Sequence, residues 1–245
     1  MERATHVVML ETDPKAFPPA PPASLDDARV LLEADWAAFC GIGRMSDHWA
    51  RPGWSPRHRA YYWMLVPSGA GGLAEEALAC QELLAELGMD PVPAEGLHVT
   101  MAKIGNRDQV TRAQLDVLAA SVRGTLGAPF RVAAHPMAGS RGAIRFTLAP
   151  WRDLVAVHAA LTQAGEHAGV PGGRPTAGFR PHLGILYNNR DRDAAAPIRA
   201  VGTLRDRGPA EFTVDAVQLV ELRREARSYR WDTVHEIALD GQDRP

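Results

Sequence analysis

Cysteine and long apolar runs are both scarce in this sequence. The chain of 245 residues has only two cysteines, Cys40 and Cys80, which form neither a CxxC pair nor a disulfide framework. Two isolated thiols argue against a small secreted domain and favour a reducing compartment. The longest apolar stretch near the N-terminus covers residues 7–10, which is too short for a signal-peptide core or a membrane span. We therefore expect a cytoplasmic protein that makes no membrane contact.

An excess of charge of one sign is also missing. The chain has 27 Lys and Arg against 29 Asp and Glu, a net charge of −2, so no chain-wide basic field marks it as a nucleic-acid coat protein. Its nine histidines include no HExxH motif and no Cys/His cluster, so we expect no bound metal and no cofactor. Composition favours a globular protein with a small ligand, and we expect a monomer.

The order of predicted elements indicates an α+β chain, because the alternation of a parallel βαβ sheet is absent. A proline-rich connector at 13–24 precedes a helix expected from Ser24 to about Phe39, and an irregular basic loop follows at 44–59. Further helices are predicted at about 74–88, 111–126, 151–169 and within 194–205, a glycine-rich connector at 68–72, and strands at about 61–67, around His98, and at 130–136, 143–149, 180–187, 210–224 and 229–239.

Two of the histidines have matching surroundings. His98, in HVTM, and His182, in PHLGIL, each follow a loop with glycine and proline and each open an apolar strand. Because side chains alternate along a strand, His98 and Thr100 share one face, and His182 shares a face with Gly184. A strand with one polar and one apolar face suits the wall of a cleft above a core.

The motifs HVTM at 98–101 and FRPHLGIL at 179–186 resemble the paired motifs of the 2H phosphoesterase superfamily, in particular its bacterial 2′-5′ RNA ligase and cyclic phosphodiesterase branch. The resemblance spans about residues 60–240. It implies two pseudo-symmetric lobes whose antiparallel sheets face a central groove. We accordingly divide the chain into an N-terminal extension at 1–59 and a bilobal domain at 60–245.

The resemblance also implies a reaction. The expected substrate is RNA or a nucleotide with a 2′,3′-cyclic phosphate, which the enzyme would hydrolyse without a metal, and the reverse reaction would be 2′-5′ RNA ligation. His98 and His182 would divide the base and acid roles in an order that the sequence leaves open. Thr100 would hold a phosphate oxygen.

The second motif departs from the family pattern. Members usually carry Thr or Ser at the position of Gly184, and that hydroxyl binds a phosphate oxygen. Gly184 would leave room there for water or a bulkier ligand, and Arg180 and Tyr187 are the nearby donors. Regular alternation places Arg180 on the His182 face and favours it over Tyr187. Two alternatives therefore stay open: a catalytically weakened nucleotide- or RNA-binding protein, and a phosphoesterase of a specialised small-molecule pathway.

Overall fold

The computed structural model describes residues 9–50, 55, 57–67 and 70–240. Parts of two predicted segments, the basic loop and the glycine-rich connector, lie outside these residues. The described chain contains the helices α1 (Ala28–Cys40), α2 (Gly71–Leu83), α3 (Arg112–Val122), α4 (Arg152–His167) and α5 (Ala195–Gly202). No helix among the described residues has both the length and the apolar character needed to cross a membrane.

Strands supply the rest of the regular structure. They are β1 (Arg44–Met45), β2 (Arg59–Leu65), β3 (Asp90–Pro91), β4 (Val99–Asn106), β5 (Phe130–Gly139), β6 (Ala143–Ala149), β7 (His182–Tyr187), β8 (Arg192–Asp193), β9 (Ala210–Val214), β10 (Ala216–Glu225) and β11 (Ser228–Ala238). Short 3-10 helices lie at Ala85–Leu87, Ala94–Gly96 and Thr176–Gly178.

The strands form two main sheets, and every strand pair in them is antiparallel. One sheet has the order β11-β10-β2-β4 and the other β3-β7-β6-β5-β9, while β1 and β8 form a separate pair. The predicted α+β class is confirmed. The lobes are not consecutive halves of the chain, because β10 pairs with β2 and has β11 on its other edge, and β3 pairs with β7.

Side-chain caps set the starts of two helices. Helix α1 begins after Asp27, whose carboxylate accepts hydrogen bonds from the backbone N–H groups of Arg29 and Val30. The predicted start at Ser24 was wrong, because the Ser24 hydroxyl closes a turn by accepting from the Asp26 and Asp27 N–H groups at 3.2 and 3.1 Å. Helix α3 starts as predicted after Thr111, within a reciprocal capping box.

Two predicted elements needed further correction. The expected long strand at 210–224 is two strands that break at Asp215, and β9 and β10 belong to different sheets. The chain therefore crosses between lobes at this residue. The helix expected at 74–88 starts earlier and ends earlier, and Gly88 closes the 3-10 turn that follows it with a left-handed φ of 56°.

The N-terminal segment packs against the rest of the protein. Phe39 at the end of α1 is fully buried and belongs to the same apolar core as Trp63 and Phe146. Its ring lies so close to Gly139 of β5 that no Cβ fits at that position. The extension is thus part of the folded body, while the predicted boundary at residue 59 stays a prediction.

Candidate active site

The first motif lies at the start of β4. Val99 and Met101 are buried, whereas His98 and Thr100 are half-buried, which is the burial pattern expected from alternation. Thr100 pairs with Met64 of β2 in the ladder. His98 and Thr100 therefore project from one face of the sheet.

The second motif has the same burial pattern on β7. Leu183 and Ile185 are fully buried, Gly184 is half-buried and His182 is exposed. Strands β4 and β7 belong to different sheets but contact each other. The fold thus places the two motifs, 84 residues apart in sequence, at the junction of the two lobes.

Both motif histidines make the same hydrogen bond. The Nδ1 atom of His98 donates to the carbonyl oxygen of Gly96 at 2.7 Å, and that of His182 donates to the carbonyl oxygen of Arg180 at 2.9 Å. A carbonyl oxygen only accepts, so Nδ1 carries the proton in each ring. In the neutral rings the lone pair that can take a proton is therefore on Nε2.

Aromatic side chains of β11 surround His98. The Trp231 ring lies 5.3 Å from the His98 ring and the Tyr229 ring 6.4 Å, both edge to face. Burial among these groups lowers the pKa of His98 below its ordinary value, and the hydrogen bond to Gly96 opposes this only in part. His98 is thus biased toward the neutral form that accepts a proton.

Four aromatic side chains link the two motifs. The Tyr187 ring lies 5.6 Å from that of Tyr229 at 89°, and the His48 ring stacks on Tyr187 at 4.1 Å. The Nε2 atom of His48 is 3.0 Å from the Tyr229 hydroxyl, and Trp49 packs against both tyrosines. We call His48, Trp49, Tyr187 and Tyr229 the aromatic cluster. It connects the end of β7 to the surroundings of His98.

Helix α1 packs on the sheet face that carries the second motif. Thr147 of β6 is the ladder partner of His182, and Arg145 is the partner of Gly184. Directly opposed residues share a face, and both β6 side chains hydrogen-bond to Asp35 of α1, Arg145 at 2.6 Å and Thr147 at 2.8 Å. The N-terminal helix therefore covers the part of this face next to the motif.

The Arg180 side chain points to the N-terminal segment. The side chain is buried, and all five of its N–H donors are used by backbone carbonyl groups. The acceptors are the carbonyl oxygens of Glu11, Pro18, Pro19, Ala177 and Phe179, at 2.6–3.2 Å. Burial also lowers the pKa of Arg180. This arginine thus holds the N-terminal segment beside the second motif, and its phosphate contact stays a prediction.

Comparison with known proteins decides the family. The family model of the 2′-5′ RNA ligase superfamily matches residues 73–226, which include both motifs and all of the strands β3–β10. The chain belongs to the 2′-5′ RNA ligase superfamily. The resemblance to 2H phosphoesterases is thereby confirmed. A search of curated proteins gives no significant match for this sequence.

Solved structures support the same fold for this superfamily member. LigT of E. coli in its apo form is 16% identical, with a TM-score of 0.56 over 75% of this chain and 98% of LigT. A protein of Thermus thermophilus is 17% identical, with a TM-score of 0.53 over 75% of this chain and all of that chain. LigT has also been crystallised with 3′-AMP and with phosphate. At these identities the likeness shows the fold.

Sequence reasoning missed several groups of this superfamily member's site. Tyr229 and Trp231 alternate along a predicted strand, and this period-two pattern could have identified them as neighbours on one face. His48 falls in the predicted basic loop, and no local pattern shows its contact with Tyr187. Among the described residues, no group of three or more His, Cys, Asp or Glu side chains is arranged to hold a metal ion.

Proposed function

We propose that this protein is a phosphoesterase that hydrolyses 2′,3′-cyclic phosphates of RNA or nucleotides, with His98 and His182 as its acid–base pair. The observation that carries the proposal is the matched pair of Nδ1–carbonyl hydrogen bonds. These bonds give both rings the same tautomer and fix their orientation. The two histidines occupy corresponding positions on β4 and β7, which contact each other. A pair of equally prepared imidazoles suits a reaction that needs one base and one acid.

The reaction requires two proton transfers at one phosphorus atom. A water oxygen attacks the phosphorus in line while one ribose P–O bond breaks. The first imidazole takes a proton from the water at Nε2, and the second, protonated imidazole gives a proton to the departing ribose oxygen. The products are a phosphomonoester and a free ribose hydroxyl, and no metal is needed to balance the step. Run in reverse with a hydroxyl of a second RNA end, the same groups would perform 2′-5′ ligation.

We assign the base role to His98 and the acid role to His182. His98 is half-buried against Tyr229 and Trp231, and burial lowers its pKa, so its neutral form persists at neutral pH. His182 is exposed at the start of β7, where water can solvate the charged form of the ring. Thr100, on the His98 face, would donate its hydroxyl to a non-bridging phosphate oxygen.

The substrate class draws support from the solved relatives. LigT complexes contain 3′-AMP and phosphate, and 3′-AMP is one product that hydrolysis of 2′,3′-cyclic AMP can give. We therefore propose a nucleotide or an RNA end as the ligand of this chain, and 2′,3′-cyclic AMP as the first substrate to test.

The decisive experiment compares hydrolysis of 2′,3′-cyclic AMP by the wild type, His98→Ala and His182→Ala. Loss of a general acid or base typically lowers the rate by about 10²- to 10⁴-fold. His167→Ala is the matched control, because His167 is exposed at the end of α4. The proposal fails if either motif variant retains wild-type kcat/KM. Activity that persists in a chelator would support the metal-independent mechanism.

Gly184 favours a second candidate function, a nucleotide-binding protein with weakened catalysis. The second motif has no side-chain hydroxyl at this position, and a lost hydrogen bond to a charged group typically costs about 1.5–3 kcal/mol. Binding of 3′-AMP without turnover of any cyclic nucleotide would favour this candidate. Measurable hydrolysis that depends on both histidines would exclude it.

A further inference from the structure

The two motifs differ in one functional group. Thr100 provides a hydroxyl two residues after His98, whereas Gly184 provides none two residues after His182. The two histidines are otherwise oriented by the same hydrogen bond. If both motifs face one phosphate, the second motif needs a donor that comes from another residue.

A β-bulge brings such a residue to the correct face. The β6–β7 ladder pairs Arg145 with Gly184, Ile144 with Leu186 and Ala143 with Tyr187. Ile185 therefore has no ladder partner on β6, and the alternation of β7 shifts by one residue at this point. Because the β6 partners of Gly184 and Tyr187 are two residues apart, both positions lie on the same face. Simple alternation would have put Tyr187 on the opposite face.

The Tyr187 side chain reaches back to the glycine. A Cβ atom at Gly184 would lie 3.5 Å from Cε1 of Tyr187 and 3.8 Å from its hydroxyl oxygen. The space where a threonine side chain would project thus has a phenol hydroxyl at its edge. The ring is buried and held by the stacked His48 ring and the edge contacts with Trp49 and Tyr229.

We propose that Tyr187 supplies the hydroxyl that the second motif lacks, and that it donates to a non-bridging oxygen of the bound phosphate. This inference rests on the proposed function. A phenol is a neutral hydrogen-bond donor at pH 7, and packing in the aromatic cluster restricts its position before the substrate binds. The ring lies directly beside the motif position, because Cε1 would be at ordinary van der Waals distance from a Cβ atom there.

The test uses Tyr187→Phe, which removes the hydroxyl and keeps the ring. We expect kcat/KM for 2′,3′-cyclic AMP to fall about 10- to 100-fold, as for a lost hydrogen bond to a charged group. The double variant Gly184→Thr/Tyr187→Phe restores a hydroxyl at the motif position and should recover most of that loss. Tyr61→Phe, on β2, is the matched control for a buried tyrosine outside the site.

The outcomes separate this inference from the proposed function. Unchanged kcat/KM in Tyr187→Phe overturns the inference, as does a loss that Gly184→Thr does not rescue. Neither result bears on His98 and His182, whose alanine variants test the proposed function. If the wild type hydrolyses no cyclic nucleotide, binding of 3′-AMP is measured instead. The inference then requires a weaker Kd in Tyr187→Phe and recovery of that Kd in the double variant.

Discussion

Thr147 lies directly opposite His182 in the β6–β7 ladder, and its hydroxyl donates to Asp35 of the N-terminal helix at 2.8 Å. The strand position next to the proposed catalytic histidine is thus anchored to a segment far away in sequence. Asp35 also pairs with Arg145, and both of these charged side chains are almost completely buried. The N-terminal helix therefore has a structural connection to the second motif.

The first prediction concerns the buried carboxylate of Asp35. Asp35→Ala should lower the free energy of unfolding by about 3–5 kcal/mol, because it leaves the Arg145 charge buried without its partner. Glu33→Ala is the control on the same helix, since Glu33 makes only an exposed pair with Arg29, and we expect a change within about 0.5 kcal/mol. Urea unfolding of both variants measures the difference. Equal losses in the two variants would contradict this account.

The second prediction concerns the segment that Arg180 holds. Arg180→Met removes the donors of five carbonyl hydrogen bonds, so the free energy of unfolding should fall by about 3 kcal/mol or more. Limited proteolysis should then cut within residues 9–24 faster than in the wild type.

Arg152→Met is the control for Arg180→Met. Arg152 also contacts the N-terminal extension, but through an exposed pair with Asp26, so its loss should have a much smaller effect. If proteolysis of the segment is equally fast in both variants, the carbonyl contacts of Arg180 do not determine its docking.

The sequence predicted the α+β class and the two motif strands because both depend on local patterns. Val99 and Leu183 alternate with polar or small residues. Because alternate side chains of a strand lie on opposite faces of the sheet, this pattern predicts which side chains are buried. Contacts between distant segments have no such local signal. The docking of α1 through Asp35 and the position of His48 against Tyr187 could therefore not be predicted from the sequence.

The choice between Arg180 and Tyr187 shows a second limit. Alternation favoured Arg180 as the compensating donor, but it assumes a regular strand. The bulge at Ile185 places Tyr187 on the same face as Gly184, whereas alternation placed it on the opposite face. The run of apolar residues contains no signal for the position of the bulge. The break at Asp215 was missed for a similar reason. A single acidic residue within a strand-like segment does not indicate that the chain passes from one sheet to the other there.

The third prediction concerns the pH dependence of the reaction. Burial lowers the pKa of His98 below the ordinary value of 6.5, so its base form persists as the pH falls through 6.5. The acidic limb of the kcat/KM profile should therefore lie below pH 6.5. Trp231→Ala opens the surroundings of His98 to water and should move this limb toward higher pH. A limb above pH 6.5, or one unaffected in Trp231→Ala, would contradict the assignment of His98 as base.

The fourth prediction concerns His158 of α4, which supports the loop before the second motif. Its Nδ1 atom is 2.9 Å from the Thr176 hydroxyl, and its ring stacks on Phe179 at 4.0 Å. Burial lowers the pKa of His158 from 6.5 to about 4. As the pH falls below 6.5, His158 is protonated in the unfolded chain but stays neutral in the folded protein. The free energy of unfolding therefore decreases until the pH reaches about 4.

Between pH 7 and pH 4.5 this single group should cost the wild type about 2 kcal/mol of unfolding free energy. His158→Gln has no titrating ring, so its stability should fall by that much less over the same interval, whatever its stability at pH 7. His167→Gln, which changes an exposed histidine of the same helix, should keep the wild-type pH dependence. Urea unfolding at the two pH values measures all three proteins. If His158→Gln loses as much unfolding free energy as the wild type between these two pH values, protonation of His158 does not cause the loss of stability in acid.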